Sequence, residues 1–145
     1  MIQQDTISLL RECDAGIQMG VASIEQVLGD VQSETMRSLL SSSKDEHHRL
    51  MDEVQSALSR FHEDGKAPNP VAKTMATLKT NMEMMMMKPT DATIADLMTD
   101  GCNMGVKSLS KYLNQYAAAD EKAKDVCKKL ISMEEQLAKD LRGYL

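Results

Sequence analysis

The sequence has no tryptophan, one phenylalanine and three tyrosines in 145 residues. Strands draw on β-branched and aromatic side chains alternating with period two, and few such runs occur, which argues against a sheet. Basic charge is also scarce. Seventeen Lys and Arg stand against 22 Asp and Glu, a net charge of −5. Phosphate binding needs a basic face, so no nucleic-acid partner is expected. Long apolar runs are absent, and no stretch approaches the ~18 residues that a membrane-spanning helix needs. Met1 to Asp5 lacks the basic-then-apolar pattern of a signal peptide. The three cysteines, Cys13, Cys102 and Cys127, are odd in number and far apart. That fits reduced thiols in a cytoplasmic protein better than a disulfide framework.

What is present is 42% apolar residues, 27% charged residues and 13 methionines. The length suits one domain, able to bury roughly two-thirds of its unfolded surface. Leu, Met, Ile, Val and Ala recur at helical spacing, so the chain reads as all-α. Two stretches match one another. Gly16-Ile17-Gln18-Met19-Gly20-Val21-Ala22-Ser23-Ile24 and Gly101-Cys102-Asn103-Met104-Gly105-Val106-Lys107-Ser108-Leu109 both read G-x-[QN]-M-G-V-x-S-[IL], and Leu28 and Leu113 continue the match. This pattern reads as a duplicated helical hairpin.

The spacing predicts a helix from about Gln3 to Leu28, with its buried seam at Ile7, Leu10, Asp14, Ile17, Val21, Ile24 and Leu28. Asp30 or Ser33 caps a second helix reaching about Glu63. Its seam is Met36, Leu40, Ser43, His47, Leu50, Val54, Ala57 and Phe61. Gly65 to Pro70 breaks the pattern, and a helix over 70–87 stops before Pro89. Thr90 or Asp91 caps the next, which runs to about Tyr116 through Ile94, Met98, Gly101, Gly105, Ser108 or Leu109, and Tyr112. The last helix follows Asp120 to the C-terminus through Val126 or Cys127, Leu130, Glu134, Leu137 and Leu141.

Short loops make antiparallel neighbours. The chain therefore reads as one domain: a hairpin over 3–64, a crossover helix over 70–87 and a hairpin over 91–145. Eighteen helical residues span about 27 Å, a fair length for a crossover along a bundle. In this topology the two matched helices can face each other, with Gly16, Gly20, Gly101 and Gly105 letting their backbones approach closely.

This topology, the internal match, Lys44-Asp45-Glu46-His47-His48 and Met133-Glu134-Glu135 resemble the ferritin-like superfamily, in particular its small bacterial domains of uncharacterised function. The resemblance covers about Ser8 to Leu145 and implies a ferritin-like four-helix bundle. It also implies two metal ions in the core, held by a Glu from each of two helices and a Glu-x-x-His from each of the other two. The sequence departs from that set. The frame ending on His47 begins with Lys44, and the frame beginning with Glu134 ends on Leu137. Asp45-x-x-His48 keeps the chemistry but lies off the seam. The first helix offers Asp14, a shorter arm than Glu, and the third bundle helix offers Thr99, Asp100, Cys102 and Asn103.

The candidate metal ligands are therefore Asp14, His47, Glu134 and Asp100, a degenerate set, with iron or another divalent metal as the ion they would take. The alternatives are an ion pair of Lys44 with Glu134 in place of metal, and a hydrogen bond that Asp14 shares with Ser43, Lys44 or His47. A seam carboxylate needs such a partner because lone burial is costly. Met82, Met84, Met85, Met86 and Met87 cover every side of a helical turn. Thioethers suit Cu(I), but Met is also common on adaptable protein-binding surfaces. That run predicts a homodimer or partner contact. No nucleophile–base pair, phosphate loop or nucleotide fingerprint is present. The leading expectation is a non-enzymatic protein without a cofactor that works by association. The runner-up is a metal-binding ferritin-like protein.

Overall fold

A computed structural model describes residues 2–61 and 89–145. The described residues form α1 (Ile2–Leu28), α2 (Glu34–Ser59), α3 (Asp91–Gln115) and α4 (Glu121–Leu141), then a 3-10 turn over Arg142–Tyr144. The crossover helix expected over 70–87, with its methionine run, lies outside the described residues, as does His62. The predicted second helix ends earlier than expected, at Ser59.

α2, α3 and α4 each start where a short polar side chain can accept from a free backbone N–H. Ser33 Oγ accepts from Met36 N at 3.2 Å, Thr90 Oγ1 from Thr93 N at 3.1 Å, and Asp120 Oδ1 from Ala123 N at 2.8 Å. The caps are also tied across the fold. Asp91 accepts from both Gln32 N and Ser33 N, at 2.8 and 2.9 Å, joining the start of α3 to the α1–α2 turn. At the other end Asp5 Oδ2 accepts from Ala118 N and Thr6 Oγ1 from Asp120 N. The C-terminal end of α1 thus meets the start of α3, and its N-terminal end meets the α3–α4 turn. The two helices run antiparallel.

α1 packs on α2, α3 and α4, α3 on α4, and α2 on α4, which makes a four-helix bundle of two hairpins. The apolar interior divides into two. One half holds Leu10, Ile17, Leu50, Val54, Leu109 and Leu130 among others. The other holds Ile24, Met36, Leu40, Ile94, Met98 and Leu137. Between them, one turn of each helix carries no large buried apolar side chain. Gly20, His47, Gly105 and Glu134 occupy that waist.

The matched glycines do a different job from the one expected of them. Gly101 is exposed, and a Cβ there would meet nothing within 4 Å. A Cβ on Gly16 would make ordinary contacts with Leu130 and Leu109. A Cβ on Gly20 would come to 2.8 Å from His47 Nε2, and one on Gly105 to 3.6 Å from Glu134 Oε2. Gly20 therefore makes room for a buried polar side chain, Gly105 faces Glu134 at ordinary contact distance, and Gly101 packs against nothing. The buried position in that turn is Cys102, one residue on.

Candidate functional site at the bundle waist

His47 and Glu134 reach the waist from opposite hairpins. Each stands beside a glycine of its partner helix in its own hairpin: His47 on α2 beside Gly20 on α1, and Glu134 on α4 beside Gly105 on α3. His47 is fully buried, and Glu134 is 8% exposed. His47 Nε2 lies 2.9 Å from Glu134 Oε1, and Nδ1 lies 2.7 Å from the Ser43 carbonyl oxygen one turn back.

This geometry fixes the protons. A carbonyl oxygen only accepts, so Nδ1 carries a hydrogen and donates to Ser43. Nε2 faces a carboxyl oxygen at hydrogen-bond distance, so a second proton lies between them. Either an imidazolium donates to a carboxylate or a carboxylic acid donates to a neutral imidazole. Burial pushes the His47 pKa down most strongly of the single influences. The hydrogen bond and charge of Glu134, the Ser43 carbonyl and the charge of Glu46 together outweigh it, and the net shift is upward. The imidazolium–carboxylate form is the one these contacts favour.

Cys102 on α3 completes the cluster. Its thiol is buried beside Glu134. Burial first, then the Glu134 charge, hold it protonated far above the usual thiol range. The spacing Ile94, Met98, Gly101, Gly105 places Gly101 on this seam, and the structure places Cys102 there instead. The 98–102–109 spacing of Met98, Cys102 and Leu109 was the signal for Cys102.

The other candidates fall elsewhere. Asp14 is buried on α1, but its Oδ2 accepts from Gln18 Nε2 at 2.9 Å rather than from the expected partners on α2. Asp100 lies on the exposed face of α3, and Asp45 and His48 on the exposed face of α2. Lys44 is half-buried, and the ion partner of Glu134 is His47 in its place. Among the described residues no three His, Cys, Asp or Glu side chains converge to hold a metal ion. The donor chemistry agrees: both His47 nitrogens are spent, one on a carbonyl and one on Glu134. These residues do not fit the two-metal set of the ferritin-like pattern. Among the described residues, two half-buried side chains have buried oxygens without a hydrogen-bond partner, Gln26 Oε1 on α1 and Thr99 Oγ1 on α3.

Among the described residues no helix is long and apolar enough to cross a membrane. No protein-family model matches this chain, and neither does any curated protein sequence. Among solved structures, the crystal structure of Dps92 from Deinococcus radiodurans superposes with a TM-score of 0.75. The sequence identity is 11%, and the alignment covers 98% of this chain and 86% of that one. At that identity the likeness speaks to the fold alone, and the fold of this chain is a ferritin-like four-helix bundle.

Proposed function

We propose that this chain is a non-enzymatic ferritin-like protein of the cytoplasm that acts by associating with a second copy of itself or with another protein. The observation that supports this reading is the His47–Glu134 contact. In the ferritin-like pattern the centre of the bundle is where carboxylates and imidazoles meet metal. Here the interior imidazole of His47 and the carboxylate of Glu134 opposite it hold a shared proton and close on each other. A bundle whose centre is filled in this way serves as a scaffold, and its working surface is its outside. The methionine run at 82–87 is the part of the sequence best suited to partner contact.

Light scattering on the eluting peak of a size-exclusion column tests the self-association arm. A particle of at least twice the 16.1 kDa chain mass is the expected result. A lone chain at micromolar concentration overturns that arm and leaves only a different protein as partner.

A second reading, binding of a divalent ion, draws on the burial of His47, Glu134 and Asp14 in one interior and on Cys102 beside Glu134. It requires the shared proton to leave and the His47–Glu134 contact to open. Metal retained in proportion to chain would favour it.

A further inference from the structure

The outward face of α3 carries a charge pattern that the bundle itself does not use. Ile94, Ala95, Met98, Cys102 and Leu109 are the buried side of the helix, which packs on α1 and α4. On the opposite side Asp96, Asp100, Asn103, Met104, Lys107 and Lys111 are all exposed, and at the helical period they fall in one stripe. Met104 is 58% exposed. Among the described residues the other exposed large apolar side chains, Ile2 and Leu145, stand at the ends of the chain.

The signs along the stripe are segregated. Asp96 and Asp100 are one turn apart, and so are Lys107 and Lys111. Like charges at that spacing repel and weaken a helix, whereas a face built only for water interleaves opposite signs. The macrodipole does not account for the pattern, because it acts within the first and last turns and none of the four residues stands there. Asp100 and Lys107 are two turns apart, about 10 Å along the axis, too far to pair with each other. Among the described residues none of the four has an ion partner.

The pattern is symmetric about the point midway between Asn103 and Met104. Asp100 and Lys107 are equally far from it along the chain, and so are Asp96 and Lys111. We infer that this stripe of α3 docks a second copy of the chain, helix against helix, antiparallel about a two-fold axis at that point. Asp100 then faces the partner's Lys107 and Asp96 faces the partner's Lys111, and the two-fold repeats both pairs. Asn103 meets the partner's Met104 beside the axis, so two exposed methionines are covered together. The parallel arrangement would set Asp against Asp and Lys against Lys. Exposed ion pairs add little affinity each, but they fix orientation and speed encounter. The inference rests on the self-association reading and supplies its surface.

The test is sedimentation equilibrium of the full chain and two charge variants, at low ionic strength and in molar salt. One variant carries Asp96→Lys and Asp100→Lys, the other Lys107→Asp and Lys111→Asp. Wild type is expected to be a dimer that weakens with salt. Each variant alone turns four attractive contacts into repulsive ones and should dimerise about a hundredfold more weakly. Mixed together, the two variants should recover a one-to-one dimer, which also shows that both are folded. A chain with Asp100→Lys and Lys107→Asp keeps every pair complementary and should dimerise as wild type does. A wild-type dimer that neither variant weakens overturns the inference and leaves self-association standing through another surface. So does a dimer lost in both variants and not recovered on mixing, or lost in the exchanged chain. A lone wild-type chain at micromolar concentration overturns the inference and the self-association reading together.

Discussion

His47 Nε2 and Glu134 Oε1 meet at 2.9 Å in the waist that separates the two halves of the apolar core. His47 could not hold that position without Gly20 beside it. Removing one partner leaves the other buried and unpaired, which is costlier than removing both. Glu134→Ala is therefore expected to lower the unfolding free energy by about 2–4 kcal/mol. The double variant His47→Leu, Glu134→Leu should lose less than the sum of the two singles. Urea unfolding of all four proteins gives the coupling, and additive losses would show that the contact carries no energy.

The two matched glycines at the waist and its edge should respond in opposite ways to alanine. At Gly20 the new methyl would lie 2.8 Å from His47 Nε2 and 2.9 Å from Cδ2, and the ring is held from both nitrogens. A loss of about 1–3 kcal/mol is expected there. At Gly101 nothing stands within 4 Å, so Gly101→Ala should stabilise the helix by about 1 kcal/mol. Thermal melts of the two variants decide it. A drop in Tm for Gly101→Ala would contradict the placement of that residue on the outer face.

The waist also makes stability depend on pH. The folded His47 pKa lies above its ordinary value, so the folded state holds this proton more tightly than the unfolded chain does. Its contribution is fully present below about pH 6.5 and is lost as pH rises through the raised value. The gap in unfolding free energy between wild type and His47→Gln should shrink as pH rises above about 6.5. A gap that widens across that window would mean that the folded state prefers the neutral imidazole.

Asp91 begins α3 yet closes the α1–α2 turn by accepting two backbone N–H groups. Asp91→Ala should cost about 1–2 kcal/mol, through the lost long-range bonds and a less favourable first turn. Asp91→Asn keeps an acceptor and should recover part of it. Equal losses for both variants would show that the negative charge, and not the acceptor geometry, holds the turn.

The described helices were legible from apolar spacing because burial and helical period report the same face. Met36, Leu40, Ser43, His47, Leu50, Val54 and Ala57 are all buried as their spacing predicts. The same is true of Val126, Leu130, Glu134, Leu137 and Leu141. The seam of α3 falls on Cys102 and not on Gly101, because a residue without a side chain does not report which face of the helix is buried. The partner of Glu134 was out of reach for a related reason. Lys44 and His47 lie three residues apart on one helix, and the rotation of α2 against α4 chooses between them.

The claim that a proton, and not a metal ion, holds the centre of this bundle is open to a direct measurement. The purified chain is incubated with Fe(II), Mn(II) or Zn(II), desalted and analysed for bound metal. The account predicts no stoichiometric retention, and the same trace level in His47→Ala and Glu134→Ala as in wild type. Retention of one or two ions per chain, lost in either variant, would contradict it and make the waist a working metal centre.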